Sequence, residues 1–253
     1  TGVKNTALGE AALFTNNASN NTAVGYYALK LNTTGANNVA VGLQALDANT
    51  TGTFNTAIGS GSLGANATTS YNVAVGASAL GGCIADNNIA IGREAGASIT
   101  TGTRNVVIGN TAYDASDTEN DNMAIGYAAM TTDTAGGTGN IAVGNYALDA
   151  LTSGDYNIAI GLEAGGVNTT GSNNTAIGYQ SLDANTTGAN NIAIGRNCLG
   201  LNSTGATNTA IGSNALAANT TADSNVAVGR SALLGNTTGA ENVAVGHEAL
   251  AAN

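Results

Sequence analysis

The chain has 253 residues and a net charge of −10, which comes from 16 acidic and only 6 basic residues. Binding to nucleic acids or to anionic membranes requires a basic surface, so this charge argues against both functions. The 36 glycines, the 4% aromatic content and a 43% hydrophobic share rich in alanine predict a thin core repeated many times. No apolar run is long enough to span a bilayer, so we expect no membrane insertion of this segment.

One motif recurs along the whole chain: Asn, a β-branched residue, Ala, a second β-branched residue and Gly, then two variable residues, Ala and Leu. Each copy predicts a short strand, and a turn such as Asn-Thr-Thr-Gly leads to the next copy. Of the fourteen spacings between motif glycines, eleven are 17 residues, two are 16 and one is 18. In chain order these glycines are Gly9, Gly25, Gly42, Gly59, Gly76, Gly92, Gly109, Gly126, Gly144, Gly161, Gly178, Gly195, Gly212, Gly229 and Gly246.

This period predicts an all-β fold, a parallel β-solenoid (β-roll) of about 15 coils of 17 residues, with residues 1–253 forming a single array. The turn residues at Thr1 and Asn253 indicate either a segment of a longer fibre or units that stack end to end. Stacked coils lie ~4.8 Å apart, so the Asn that opens every motif is expected to build a hydrogen-bonded structural ladder along the stack. Its representative members are Asn38, Asn55, Asn72, Asn174, Asn191 and Asn208.

The pleat of the strands predicts two faces of different character. Alternate residues share a face, so Asn38 and Ala40 point to one side while Val39 and Val41 point to the other. One coil can enclose only one of these faces, and the β-branched face then needs a cover, for which we expect an identical chain. The predicted oligomer face is represented by Val39, Val41, Ile58, Ile177, Ile192 and Ile194.

The residues of the motif resemble a known group of proteins. The segments 174–182 (Asn-Thr-Ala-Ile-Gly-Tyr-Gln-Ser-Leu) and 191–195 (Asn-Ile-Ala-Ile-Gly) are similar to the head repeats of trimeric autotransporter adhesins, and still more to repeats of phage and bacterial tail-fibre proteins. This resemblance covers essentially the whole chain. It implies a left-handed β-roll, commonly trimeric, exposed on a cell surface or a virion.

Several residues are of types that can carry chemistry. The single histidine, His247, occupies a variable slot and is expected to be a surface residue, while Cys198 is expected to be a small buried filler. The densest acidic stretch, with Asp133 one coil later, is a candidate Ca²⁺ cluster, for which a solvated acidic turn is the alternative interpretation. The cluster comprises Asp114, Asp117, Glu119 and Asp121. Turn formation explains the Asn-x-Ser/Thr sequences, and glycosylation, which would need a surface location, is the alternative interpretation.

We therefore expect a non-enzymatic structural fibre or filament protein without cofactors, acting outside the cell or on a virion as a rigid shaft and adhesive surface. Its expected partners are further copies of itself, arranged laterally and end to end, and a host-surface or glycan receptor. The alternative is an ice-binding solenoid that uses stacked threonines such as Thr33-Thr34 and Thr186-Thr187, although only one of each pair can face outward. A polysaccharide-cleaving β-helix would need clustered carboxylates or Arg in a groove, and here the charges are scattered.

Overall fold

The structure, a computed structural model, describes residues 2–115, 117–132 and 137–252. Three residues of the sequence predictions lie outside this part of the chain: the turn residues Thr1 and Asn253, and Asp133 of the candidate Ca²⁺ cluster. The chain forms two compact units, Thr1–Asn122 and Met123–Asn253, which are described separately. Within the described residues there is no helix with the length and hydrophobicity that a membrane crossing requires.

Each described coil contributes one strand of three residues, immediately before its motif glycine. Positions are counted from that glycine, so the motif Asn is at −4, the strand at −3 to −1 and the motif Leu at +4. The strands of the first unit are Thr6–Leu8 (β1), Thr22–Val24 (β2), Val39–Val41 (β3), Thr56–Ile58 (β4), Val73–Val75 (β5), Ile89–Ile91 (β6) and Val106–Ile108 (β7). Those of the second unit are Met123–Ile125 (β8), Ile141–Val143 (β9), Ile158–Ile160 (β10), Thr175–Ile177 (β11), Ile192–Ile194 (β12), Thr209–Ile211 (β13), Val226–Val228 (β14) and Val243–Val245 (β15).

Within each unit the strands pair in sequence order, and every pair is parallel. Residues at the same position face each other: Ala40 pairs with Ala57 in the first unit, and Ala176 pairs with Ala193 in the second. Paired residues are therefore one coil apart, which is 17 residues in these two pairs and 16 or 18 where the motif spacing differs. This register confirms the predicted all-β, parallel β-solenoid of about 15 coils.

The interior of each coil is narrow because small residues fill most of it. In the coil of Gly42, Ala40 at −2, Ala45 at +3 and Leu46 at +4 are all fully buried. Leu46 is the one large apolar side chain that this coil buries, and Tyr113 and Met130 take the corresponding position in two other coils. The core is thus a stack of thin, nearly identical layers, as the composition predicts.

The coil turns its corners with backbone conformations that L-residues rarely adopt. The motif glycines have φ values such as +131° at Gly178, where a Cβ would lie 2.7 Å from the carbonyl carbon of Gly195 in the next coil. Residues other than glycine also have positive φ at +2, +4 and +12, for example Tyr27 (60°), Leu29 (48°) and Asn37 (61°). The sequence predicts none of these three further corners, because Leu and Tyr are unfavourable there in isolation.

Candidate functional site: stacked side-chain rows

The asparagines at −4 form a buried hydrogen-bonded row, here called the first Asn ladder. In the first unit, Asn38 Oδ1 accepts the backbone N–H of Asn55 at 2.9 Å, and Asn55 Oδ1 accepts that of Asn72 at 3.0 Å. In the second unit, Asn174 Oδ1 accepts from Asn191 at 3.0 Å, and Asn191 Oδ1 accepts from Asn208 at 3.0 Å. The structure therefore joins the six predicted ladder residues into one group of three in each unit.

The carboxamide suits this position because it supplies an acceptor and a donor from one short side chain. While the oxygen accepts from the next Asn, Asn191 Nδ2 donates to the carbonyl oxygen of Gly205 at 2.8 Å. Asn38 Nδ2 makes the same bond to Gly52 at 2.8 Å. Asn38 and Asn191 are both fully buried, so these bonds satisfy polar groups that have no access to water.

A second Asn ladder runs through the turns at +7, where the sequence indicates only local turn chemistry. Asn185 Nδ2 donates to Asn168 Oδ1 at 3.0 Å, and Asn202 Nδ2 donates to Asn185 Oδ1 at 3.1 Å. Apolar side chains replace Asn at this position in other coils, where Ile99 and Leu151 are buried. The second ladder therefore tolerates apolar residues, whereas every coil keeps Asn at −4.

The asparagines of the Asn-x-Ser/Thr sequences belong to the second ladder, so their burial bears on whether they could carry glycans. Asn32, Asn49, Asn66, Asn168, Asn185, Asn202, Asn219 and Asn236 are all buried, with at most 2% of their surface exposed. A glycan on any of these side chains would have to occupy the interior of the coil. In the folded chain these residues serve the turn and the ladder.

The β-branched residues lie on the outside of the coil, at positions −3 and −1. Among the predicted oligomer-face residues, Ile58 and Ile192 are each 39% exposed. Val39, Val41, Ile177 and Ile194 are half-buried in the isolated chain. Alternation continues this side of the coil to +1, where Leu43 is 48% exposed but Arg93, Arg196 and Arg230 stand in other coils. We call positions −3 and −1 the outer apolar face.

Aromatic side chains border the outer apolar face at +12, the position before the ladder Asn. Phe54 and Tyr71, from neighbouring coils of the first unit, stack with their ring planes at 4° and their centroids 5.4 Å apart. Both rings are more than half exposed. They widen the apolar surface that surrounds β4 and β5.

Three of the four carboxylates of the candidate Ca²⁺ cluster bond to different partners. Asp117 accepts the Thr100 hydroxyl at 2.8 Å, Asp121 forms an ion pair with Arg104 at 2.6 Å, and Glu119 accepts the N–H groups of residues 117 and 118. The Arg104 guanidinium lowers the pKa of Asp121, while burial raises the pKa of Asp114. Among the described residues no three His, Cys, Asp or Glu side chains converge in a way that could hold a metal. The observed contacts favour the alternative interpretation, a hydrogen-bonded acidic turn.

Another acidic group, which the sequence does not reveal, lies in the second unit. Asp149, Glu163 and Asp183 come from successive coils and line a surface pocket of about 300 Å³. A Cβ built on Gly166 would lie 2.9 Å from Asp183 Oδ1 and 3.5 Å from Asp149 Oδ1, so both carboxylates approach the same glycine. Burial raises the pKa of Asp149 and of Asp183, and the charge of Glu163 raises both further. These residues are 14 to 20 positions apart in sequence, so only the coil register brings them together.

Both cysteines are buried in the core of their coils, and the histidine lies on the surface. Cys198 is fully buried at +3, its Sγ donates to the carbonyl of Ala210 at 3.1 Å, and burial raises the pKa of its thiol to about 12. Cys83 is buried at +7 in place of a ladder Asn, which the sequence does not indicate. His247 is exposed, and its ring nitrogen lies 3.2 Å from the Arg230 guanidinium.

The paired threonines of the turns divide into an inner and an outer row. The first Thr uses its hydroxyl within the chain: Thr169 Oγ1 donates to the carbonyl of Thr186 at 2.8 Å, and Thr186 Oγ1 to that of Ser203 at 3.0 Å. The second Thr, such as Thr170 or Thr187, is exposed. Each Thr-Thr turn therefore presents one exposed hydroxyl, and successive turns align these hydroxyls in a single outer row. This agrees with the expectation that only one Thr of each pair faces outward.

These features define the chain as a β-solenoid repeat protein whose interior is built from small residues and two asparagine ladders. No protein-family model, curated protein or solved structure matches it.

Proposed function

We propose that the chain is a non-enzymatic structural fibre protein that associates laterally with identical chains. It acts outside the cell or on a virion as a rigid shaft and adhesive surface, and its units extend end to end. The observation that supports this most directly is the outer apolar face, to which the strands of each unit contribute. The resemblance to adhesin-head and tail-fibre repeats favours a trimer of left-handed β-rolls.

The outer apolar face is large enough to support association. A soluble monomer rarely exposes a contiguous apolar patch of more than a few hundred Å². In the second unit, eight parallel strands each direct two residues outward, mostly Ile and Val. Covering a side chain that is about two-fifths exposed, such as Ile192, stabilises an assembly by ~1 kcal/mol. Summed over the eight strands, this is comparable to the association cost of ~4–15 kcal/mol.

The regular register makes a second copy the best-matched cover. Identical positions lie in straight rows, with a spacing of ~4.8 Å between coils. Only a surface with the same spacing keeps each side chain against an equivalent neighbour over many coils. An identical chain provides that spacing by construction.

Ile177→Asp tests the proposal. Ile177 is half-buried on the outer face of a single chain, so an aspartate there is tolerated by the isolated coil but would be desolvated between chains. Wild-type protein should sediment as an oligomer at micromolar concentration, and the variant as a monomer with an unchanged far-UV circular dichroism spectrum. Thr187→Asp, which adds the same charge to an exposed turn, should sediment like wild type.

A wild-type chain that sediments as a stable monomer would refute lateral association, as would an Ile177→Asp variant that assembles normally.

Ice binding makes a different prediction for the same proteins. It requires thermal hysteresis in the wild type, unchanged in Ile177→Asp and lost in Thr187→Asp. The single outer hydroxyl row gives ice binding a narrower surface than the apolar face gives to assembly.

A further inference from the structure

A second surface feature of the second unit is a groove of about 520 Å³ that spans four successive coils. One set of lining residues comes from position +2 and consists of carboxamides: Gln180, Asn197 and Asn214. Their positions are 17 residues apart, so the three amides form a row along the stacking direction. This volume lies within the ~300–1,000 Å³ of ordinary ligand sites.

The other lining residues come from positions +5 and +6 and are mostly small or apolar. Gly200 and Ala217 leave room in the groove, while Leu201 and Leu234 supply apolar surface. Among the described residues, Asp183 is the one charged side chain that lines it. The combination of an apolar surface with a few aligned polar groups is typical of small-molecule sites.

The amides of the groove are not fully used within the chain. In the described parts of the chain the side chain of Asn214 makes no hydrogen bond to another residue, and Asn197 Oδ1 also lacks a partner but is itself buried. Gln180 Nε2 instead donates to Glu163 at 2.7 Å. The unbonded Asn214 carboxamide can donate to and accept from a hydroxyl, so it offers both roles to a ligand in the groove.

The charges of the groove exclude one class of ligand. Asp183 and the net charge of −10 repel anions, and no basic side chain lines the groove to bind a carboxylate or phosphate. A cationic ligand in the groove would find one lining carboxylate, Asp183, because Glu163 beside it is already bonded to Gln180. The chemistry therefore favours a neutral ligand with many hydroxyls and an apolar face, as a pyranose has.

The spacing between coils along the groove distinguishes a polysaccharide from an extended peptide as the neutral ligand. Coils repeat every ~4.8 Å, which is close to the length of one pyranose unit, whereas side chains on one face of an extended peptide repeat at ~6.6 Å. From this match and the aligned amides, we propose that the groove binds a neutral, extended oligosaccharide, about one sugar unit per coil. The proposal deepens the adhesive part of the proposed function but does not depend on lateral assembly, because positions +2, +5 and +6 lie outside the outer apolar face.

Calorimetric titration with the neutral β-1,4-linked probes cellobiose and cellotetraose tests the proposal. Cellotetraose spans all four coils, so it should bind at least tenfold more tightly than the disaccharide. Ala217→Leu fills the groove at a position where the next coil already carries Leu234, and it should weaken cellotetraose binding about tenfold or more. The matched control is Ala97→Leu, the same change at +5 in the first unit, which should bind like wild type.

Sedimentation and circular dichroism of each variant separate this test from the test of assembly. If Ala217→Leu does not fold, Asn214→Ala removes an amide without adding volume and should weaken binding severalfold. The absence of saturable binding to the wild type at millimolar cellotetraose would overturn the proposal. Equal affinity of wild type and Ala217→Leu would also overturn it, whatever the oligomeric state.

Discussion

Replacing a ladder asparagine should cost more at −4 than at +7. Asn191→Ala removes four hydrogen bonds, to Asn208 N, Asn208 Nδ2, Gly205 O and Asn174 Oδ1. The last two acceptors keep a second donor, from Asn202 Nδ2 and the backbone N–H of residue 191 respectively. The buried N–H of Asn208 loses its only acceptor, which alone costs ~1–3 kcal/mol.

Asn185→Ala is the matched comparison because it removes the same atoms from a buried ladder position. It breaks three bonds, to Asn168 Oδ1, Gly188 O and Asn202 Nδ2. Each of these groups keeps another partner: Gly171 N, Asn174 Nδ2 and Gly205 O respectively. Each lost bond should therefore cost only ~0.5–1.5 kcal/mol, with no buried donor left unpaired.

The two variants should thus differ by ~1–3 kcal/mol in the free energy of unfolding, with Asn191→Ala the less stable. Guanidinium unfolding followed by circular dichroism measures this difference. Native-state hydrogen exchange should show the largest loss of protection at the amide of Asn208. Thr187→Ala, at an exposed turn residue, should stay within ~0.5 kcal/mol of wild type. If Asn191→Ala were no less stable than Asn185→Ala, the assignment of the first ladder as essential would be refuted.

Two further predictions concern pH and the motif glycines. Because the folded chain raises the pKa of Asp149 and Asp183, both carboxyls bind protons more tightly when folded, so stability should increase as the pH falls from neutral and level off below ~4. Thermal unfolding across this range should show the increase, and replacing both aspartates by Asn should reduce it without abolishing it, because burial also raises the pKa of Asp114; an unchanged slope would contradict the assignment. Gly178→Ala forces a Cβ to within 2.7 Å of Gly195 at a φ of +131° and should cost ~3 kcal/mol or more. Gly200→Ala, whose Cβ would meet nothing closer than 3.3 Å, should have a much smaller effect on the denaturation midpoint, and equal effects would argue against the close approach of coils.

The period, the strands and the first Asn ladder could be predicted because each coil repeats the same requirements. Asn at −4 and Gly at the motif position recur in every coil, so their structural roles appear as an invariant pattern. The division of the strand into two faces follows from alternation alone, and Ala40 and Val39 lie on the predicted sides.

The features that sequence reasoning missed depend on contacts between residues that differ from coil to coil. Positive φ at Leu29 contradicts the intrinsic preference of leucine and results from closing the coil around its buried side chain. The second ladder is obscured because Ile99 and Leu151 interrupt its pattern. The carboxamide groove and the pairing of Asp149 with Asp183 depend on which variable residues occupy successive coils, and no local signal marks them.

The fixed 17-residue register determines how the length of this fold can change. Removing residues 179–195 would join Gly178 directly to Arg196, and the remaining strands would still place alanine over alanine and asparagine over asparagine. Loss of a single strand residue would instead turn valine and isoleucine inward and alanine outward. Changes in length are therefore compatible with the fold when they come as complete coils, which makes the span of the protein adjustable in equal steps.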